Sequence, residues 1–194
     1  AKDTIVEVAA YCVQHGYPVV HFDQEVSGNY GAGVCTSREH GHPPGGGQWV
    51  HLALEDLYRR IRERCEPLDP GFVLSMEEPN ELYLPYLNLC QCRPFGLTRE
   101  WPAMRPMTRT VPLFSFVYHD YLIQWAAFYP WKSAGHPEVS AAKGFAAGLM
   151  PGLHPYDYTL PAEGTTPYSE FLARCMAMYL GPGKEYLLFG RMQR

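Results

Sequence analysis

The 194-residue chain carries 16 Lys and Arg against 20 Asp and Glu, a net charge of −4 with histidine neutral. With no basic run, that balance argues against nucleic acid or an anionic membrane as a main partner. At 46% apolar and 19% charged residues the chain reads as one globular domain over 1–194, and no apolar run reaches the roughly 20 residues that a membrane helix needs.

Other bulk features are less decisive. Aromatics reach 14%, with 14 Tyr and 4 Trp, which suits either a sugar-stacking cleft or a large α/β core. The six cysteines, at 12, 35, 65, 90, 92 and 175, include no CxxC pair. Cys90 and Cys92 form a CxC, a weak metal signal, and several others fall on apolar helix faces as small hydrophobes. No leader peptide pattern is visible, and the compartment stays open.

In chain order, residues 3–15 read as an amphipathic helix with Asp3 as N-cap, an apolar stripe of Ile5, Val8, Ala9 and Cys12, and Gly16 as the stop. Residues 18–24, PVVHFDQ, read as a short strand whose alternation puts Val19, His21 and Asp23 on one face and Val20 and Phe22 on the other. A long loop over 25–48 contains HGHPPGGG at 40–47. Residues 49–65 form a second helix, with Leu52, Leu54, Leu57, Ile61 and Cys65 inward and Arg59, Arg60, Arg62 and Arg64 as mostly solvated charge.

A second strand is expected over 72–78, FVLSMEE, then an irregular or short helical segment over 80–92 and a Pro- and Arg-rich loop over 93–110. VPLFSFVYHD at 111–120 reads as a third strand, and 121–131 as an aromatic stretch with helical character up to Pro130. A helix over 137–150, a doubtful fourth strand within 151–167, a helix over 167–180 and a last short strand over 185–192 complete the reading. Such alternation of helix and strand implies a parallel sheet with crossover helices. The glycine patterns of nucleotide loops are absent, so no nucleotide site is expected.

Three groups carry chemistry. In the second strand Val73, Ser75 and Glu77 share a face, so Glu77 takes the strand-end position that Asp23 takes in the first. Two carboxylates from neighbouring strands are what retaining glycoside hydrolysis uses, at about 5–5.5 Å separation. Asp23 is the expected nucleophile and Glu77 the general acid/base, with Glu78 as the fallback; read blandly, all three are loop carboxylates. His40 and His42 form an HxH pattern in a Gly/Pro loop, read as substrate hydrogen-bonders with Trp49 as a platform. A zinc site using them is the other reading, and no metal or cofactor is expected. His21, Tyr118, His119 and Asp120 are further candidate sugar-hydroxyl partners. The three alternatives are a glycoside hydrolase, a non-catalytic carbohydrate-binding or assembly module, and a metal-dependent hydrolase.

HFDQ, HGHPPGGG, SMEEPNE and VPLFSFVYHDY together resemble an uncharacterised family of glycoside-hydrolase-like TIM barrels, known mainly as a domain of unknown function. That family is distantly similar to the retaining endo-α-N-acetylgalactosaminidases and to α-galactosidase-type barrels. The resemblance spans about 3–192 and implies a partial (β/α)8 barrel, roughly strands four to eight with crossover helices. Asp23 would end the fourth strand and Glu77 the fifth. The family pattern has a small residue where this chain has Glu78. A half barrel implies either a missing N-terminal half or, most simply, a homodimer.

Overall fold

A computed structural model describes residues 1–23, 35–39, 41–77, 80–92, 113–128, 142, 144–146, 148–153, 167–188 and 190. The chain is α/β and divides into two compact units, 1–90 and 91–194. In the first, α1 (Lys2–Gln14) leads into β1 (Val19–Phe22), and α2 (Gln48–Cys65) into β2 (Val73–Glu77). A single 3-10 turn, Glu81–Tyr83, then precedes β3 (Leu89–Cys92), and the strand order is β1-β2-β3.

β1 and β2 are parallel, with Val19 opposite Val73, His21 opposite Ser75 and Phe22 opposite Met76. The helices above them are parallel too. Lys2 Nζ reaches Asp56 Oδ2 at 3.0 Å, Arg60 bonds Asp3, and Arg64 Nε lies 3.3 Å from Glu7 Oε1, so partners ascend together along both helices. Parallel helices over parallel strands are what a right-handed crossover produces.

The core lies between these layers. Tyr58, Ile61, Cys65, Leu74 and Met76 are fully buried. The Tyr58 ring meets Phe22 edge-on at 5.6 Å and Tyr83 at 5.2 Å. Phe22, opposite Met76 in the register, therefore belongs to the helix-covered face. Arg62 is not solvated charge, as its position in an Arg-rich run suggested. Its Nη1 donates to Tyr86 O at 2.8 Å and Asn88 Oδ1 at 2.9 Å, and the same Oδ1 accepts from Leu74 N at 3.1 Å. The turn into β3 is thereby tied to α2 and β2.

The α1 stripe is rotated from the expected one. Val6, Ala9, Ala10 and Val13 are buried, while Ile5 and Val8 are exposed. Helical spacing fits either set, and small alanines let α1 sit close to its neighbours. Asp3 does not cap the helix: Ala1 holds that position, and Asp3 is drawn to Arg60. The guanidinium beside it lowers the Asp3 carboxyl from its ordinary value. In α2, Leu52 is exposed rather than inward, and Tyr58 takes part of the core instead.

The second unit contains α3 (Leu113–Tyr118), β4 (Ile123–Phe128), β5 (Met150–Leu153), α4 (Pro167–Leu180) and α5 (Lys184–Leu187). β4 and β5 are parallel, with Trp125 opposite Met150, and helical backbone at 142 and 144–146 falls between them in sequence. Three expectations fail here. The stretch expected as the third strand is helix over 113–118, and the aromatic stretch after it is strand. Leu122 and Gln124 are buried while Ile123 is exposed, a period of two that the aromatic composition concealed. Buried Ser115 Oγ donates to Gln124 Oε1 at 2.6 Å, fastening the short helix to the strand. The last expected strand is helix over 184–187, since Lys, Glu and Leu there favour the single turn that Gly183 starts.

Leu74→Ala should lower the unfolding free energy by about 2–5 kcal/mol. Arg59→Ala, which removes an exposed, solvent-screened ion-pair partner, should leave the urea midpoint nearly unchanged. Urea unfolding monitored by circular dichroism checks both.

Candidate functional site

The face of β1 and β2 turned away from the helices carries Val19 and Val73 at its start and His21 and Ser75 beyond them. His21 and Ser75, register partners, share a hydrogen bond of 2.9 Å between Nδ1 and Oγ. That bond requires both side chains to leave the sheet on the same side. Two residues further on come Glu77, the last residue of β2, and Asp23, one residue past the end of β1, and paired strands are spaced about 4.8 Å apart. Their environments differ. Glu77 is 4% exposed, with Ser75 beneath it at 1%, whereas Asp23 is exposed at the strand exit. Glu77 is therefore a buried strand residue and not a loop carboxylate. Glu78 lies outside the described residues, as does His40.

Of the segment between β1 and α2, residues 35–39 and 41–47 are described, and His42 among them lies against the start of α2. Cys35 and Gly45 form an isolated antiparallel bridge, with Gly45 N donating to Cys35 O at 2.6 Å. Gly45 has φ of 92° and Gly47 of 146°, backbone that only glycine adopts readily, and Gly47 starts the helix. This geometry lays the His42 ring on Trp49, with centroids 3.7 Å apart and planes 8° from parallel. His42 Nδ1 lies 2.9 Å from Pro43 O. One side of the Trp49 indole is thus occupied by His42.

Two residues that the sequence reading passed over join this end of the unit. His51, on the first turns of α2, pairs through Nδ1 with the Tyr83 hydroxyl at 2.9 Å. Tyr86 donates to Glu55 Oε1 at 2.9 Å, and that acceptor pushes the phenol up from its ordinary value. The only available signal for His51 was its place at a helix start after a glycine loop, the side where ligands meet α/β folds.

Tyr118, His119 and Asp120 belong to the second unit, at the end of a helix and not at a strand exit. The Tyr118 ring packs on Phe114 at 4.7 Å. His119 sits with Nδ1 3.0 Å from Ser115 O and Nε2 3.1 Å from Gly190 O, and Asp120 Oδ1 lies 3.3 Å from Nε2. His119 thus bridges α3 to the segment after α5. A small hollow lined by Ser115, His119, Gln124 and Tyr179, among others, has room for about one water molecule. It cannot admit a sugar.

Among the described residues, no three of His, Cys, Asp and Glu gather as a metal site, and no helix is long and apolar enough to cross a membrane. Burial pushes the Cys65 and Cys175 thiols up, which suits packing more than nucleophilic or metal chemistry.

A family model described as a domain of unknown function (DUF6259) matches residues 1–129. The chain belongs to that family. The match covers the whole first unit, with both strand-end carboxylates, and reaches past β4. Comparison with curated proteins and with solved structures finds no match.

One pH effect follows from the second unit. Burial pushes the Tyr179 hydroxyl, which has no hydrogen-bond partner among the described residues, up to about 12 from 10.0. The unfolded chain then loses this proton before the folded one, so stability should hold below pH 10 and decline between about 10 and 12. Urea midpoints measured across that range should fall less steeply for Tyr179→Phe than for the unaltered chain.

Proposed function

We propose that this family member is a glycoside hydrolase working by two carboxylates with retention of anomeric configuration. The observation that supports the reading is the β1–β2 register with its His21–Ser75 bond, since Asp23 and Glu77 each follow two residues later in sequence. In this mechanism the Asp23 carboxylate attacks the anomeric carbon while Glu77 gives its proton to the departing glycosidic oxygen. Water then attacks the glycosyl–Asp23 ester, Glu77 takes the water's proton, and the sugar leaves with the Asp23 carboxylate restored.

The unequal burial of the two groups suits the division of labour. Glu77 is buried and Asp23 stands open at the strand exit, and unequal environments are how paired carboxyls divide acid and nucleophile roles. His42 and Trp49 stand after β1 and His51 and Tyr83 meet between the loops after β1 and β2, where a (β/α) architecture gathers its substrate contacts. On this reading the fold continues the α/β pattern as part of a barrel, and the partner is a carbohydrate.

Asp23→Asn and Glu77→Gln should each lower kcat/KM on aryl glycosides by about 10²–10⁴. The Glu77→Gln loss should grow as the leaving phenol becomes more basic, because that step alone needs the proton. Activity that survives both substitutions would overturn the proposal. So would a folded chain that binds sugars by calorimetry but cleaves no member of an α- and β-aryl glycoside panel, which would leave a carbohydrate-binding module.

A further inference from the structure

Tyr179 of α4 is 1% exposed, and its hydroxyl has no hydrogen-bond partner among the described residues. A phenol O–H taken out of water and left unbonded is costly, and buried tyrosines ordinarily find a partner. Packing accounts for the ring but leaves the oxygen unexplained. Tyr179 also lines the small hollow of the second unit, together with Ser115, His119, Leu122, Gln124 and Leu149 among others. That hollow is the size of a single water molecule. An orphaned donor and a space of that size thus meet at one residue.

The remaining polar side chains of the lining are already engaged. His119 sets Nδ1 against Ser115 O and Nε2 against Gly190 O. Ser115 Oγ gives its one proton to Gln124 Oε1 at 2.6 Å, and its own lone pairs are what it has left to offer. The hollow therefore presents a donor on α4 and an acceptor on α3. A water molecule answers both, because it accepts one hydrogen bond while donating another. An anion would be repelled by the Ser115 lone pairs, and an apolar guest would leave the phenol unbonded. Leu122 and Leu149, both buried, wall the space from solvent.

We propose that the hollow is the site of a buried structural water, which accepts a hydrogen bond from the Tyr179 hydroxyl and donates one to Ser115 Oγ. A chain Tyr179–water–Ser115–Gln124 then runs from α4 through α3 to β4 inside the second unit. Two bonds are the fewest with which a buried water is ordinarily held. The inference does not depend on the chemistry proposed for Asp23 and Glu77.

Oxygen-17 magnetic relaxation dispersion of the full chain, which counts waters held for longer than the molecule takes to tumble, tests it. Tyr179→Phe keeps the ring and removes the donor. It should lose the signal of one long-lived water with an unchanged circular dichroism spectrum. Tyr186→Phe, at an exposed tyrosine on α5, should lose none. A second measurement needs no variant: water-selected nuclear Overhauser spectra should show cross-peaks of bound-water sign to the Leu122 and Leu149 methyl protons. A dispersion that Tyr179→Phe leaves whole, or methyl groups that show no such cross-peak, would overturn the inference and leave the hollow dry.

Discussion

The parallel pairing of β1 with β2 is the constraint on which the first unit depends. His21 and Ser75 meet across the strands 54 residues apart, and Lys2 and Asp56 meet across the helices at the same separation. The Asp3–Arg60 and Glu7–Arg64 contacts are 57 residues apart, so strand layer and helix layer repeat at nearly the same spacing. A slip of one residue in the register would turn every side chain of one strand to the other face. Leu74 and Met76 would leave the helices, and Ser75 and Glu77 would face the apolar packing in their place, at a desolvation cost. The core therefore enforces which polar groups share the outer face.

That enforcement is what gives the candidate site its meaning. On the proposed reading Asp23 and Glu77 meet without a direct bond between them, because the apolar packing on the opposite face fixes the β1–β2 register that precedes both. The loops after the two strands add rings at the same end. Gly45 and Gly47 let the first loop return tightly to α2, which is why His42 can stack on Trp49. Tyr83 reaches back from the turn after β2 to His51, and its ring also closes the core over Tyr58. One tyrosine thereby joins the packing of the unit to the surface above the strand ends.

Much of this was legible in the residues alone. Helices with charged and apolar faces, α1, α2 and α4, lie where periodicity puts them. Alternation in PVVHFDQ put His21 and Asp23 on one face and in FVLSMEE put Ser75 and Glu77 on one face, and the His21–Ser75 bond joins the two. What was illegible depended on contacts distant in sequence. The α1 stripe could be read one position round, because Ile5 and Val8 are as apolar as Val6 and Val13, and only α2 decides which set is covered. LFSFVY and IQWAAF exchanged helix and strand because both are aromatic and β-branched, and the Ser115–Gln124 contact separates them. LCQC is too short to announce a strand. Arg62 looked like surface charge until Asn88, 26 residues on, supplied its partner.

On the proposed mechanism the carboxyl groups of Asp23 and Glu77 work on one glycosidic bond. Incubation with a panel of activated 2-deoxy-2-fluoro glycosides, followed by mass mapping of peptides, tests it most directly, since the fluorine slows hydrolysis of the glycosyl–enzyme ester and lets it accumulate. A single glycosyl adduct on Asp23, lost in Asp23→Asn and trapped also in the Glu77→Gln chain, is the predicted result. An adduct on any other residue, or none with any member of the panel, would contradict the account.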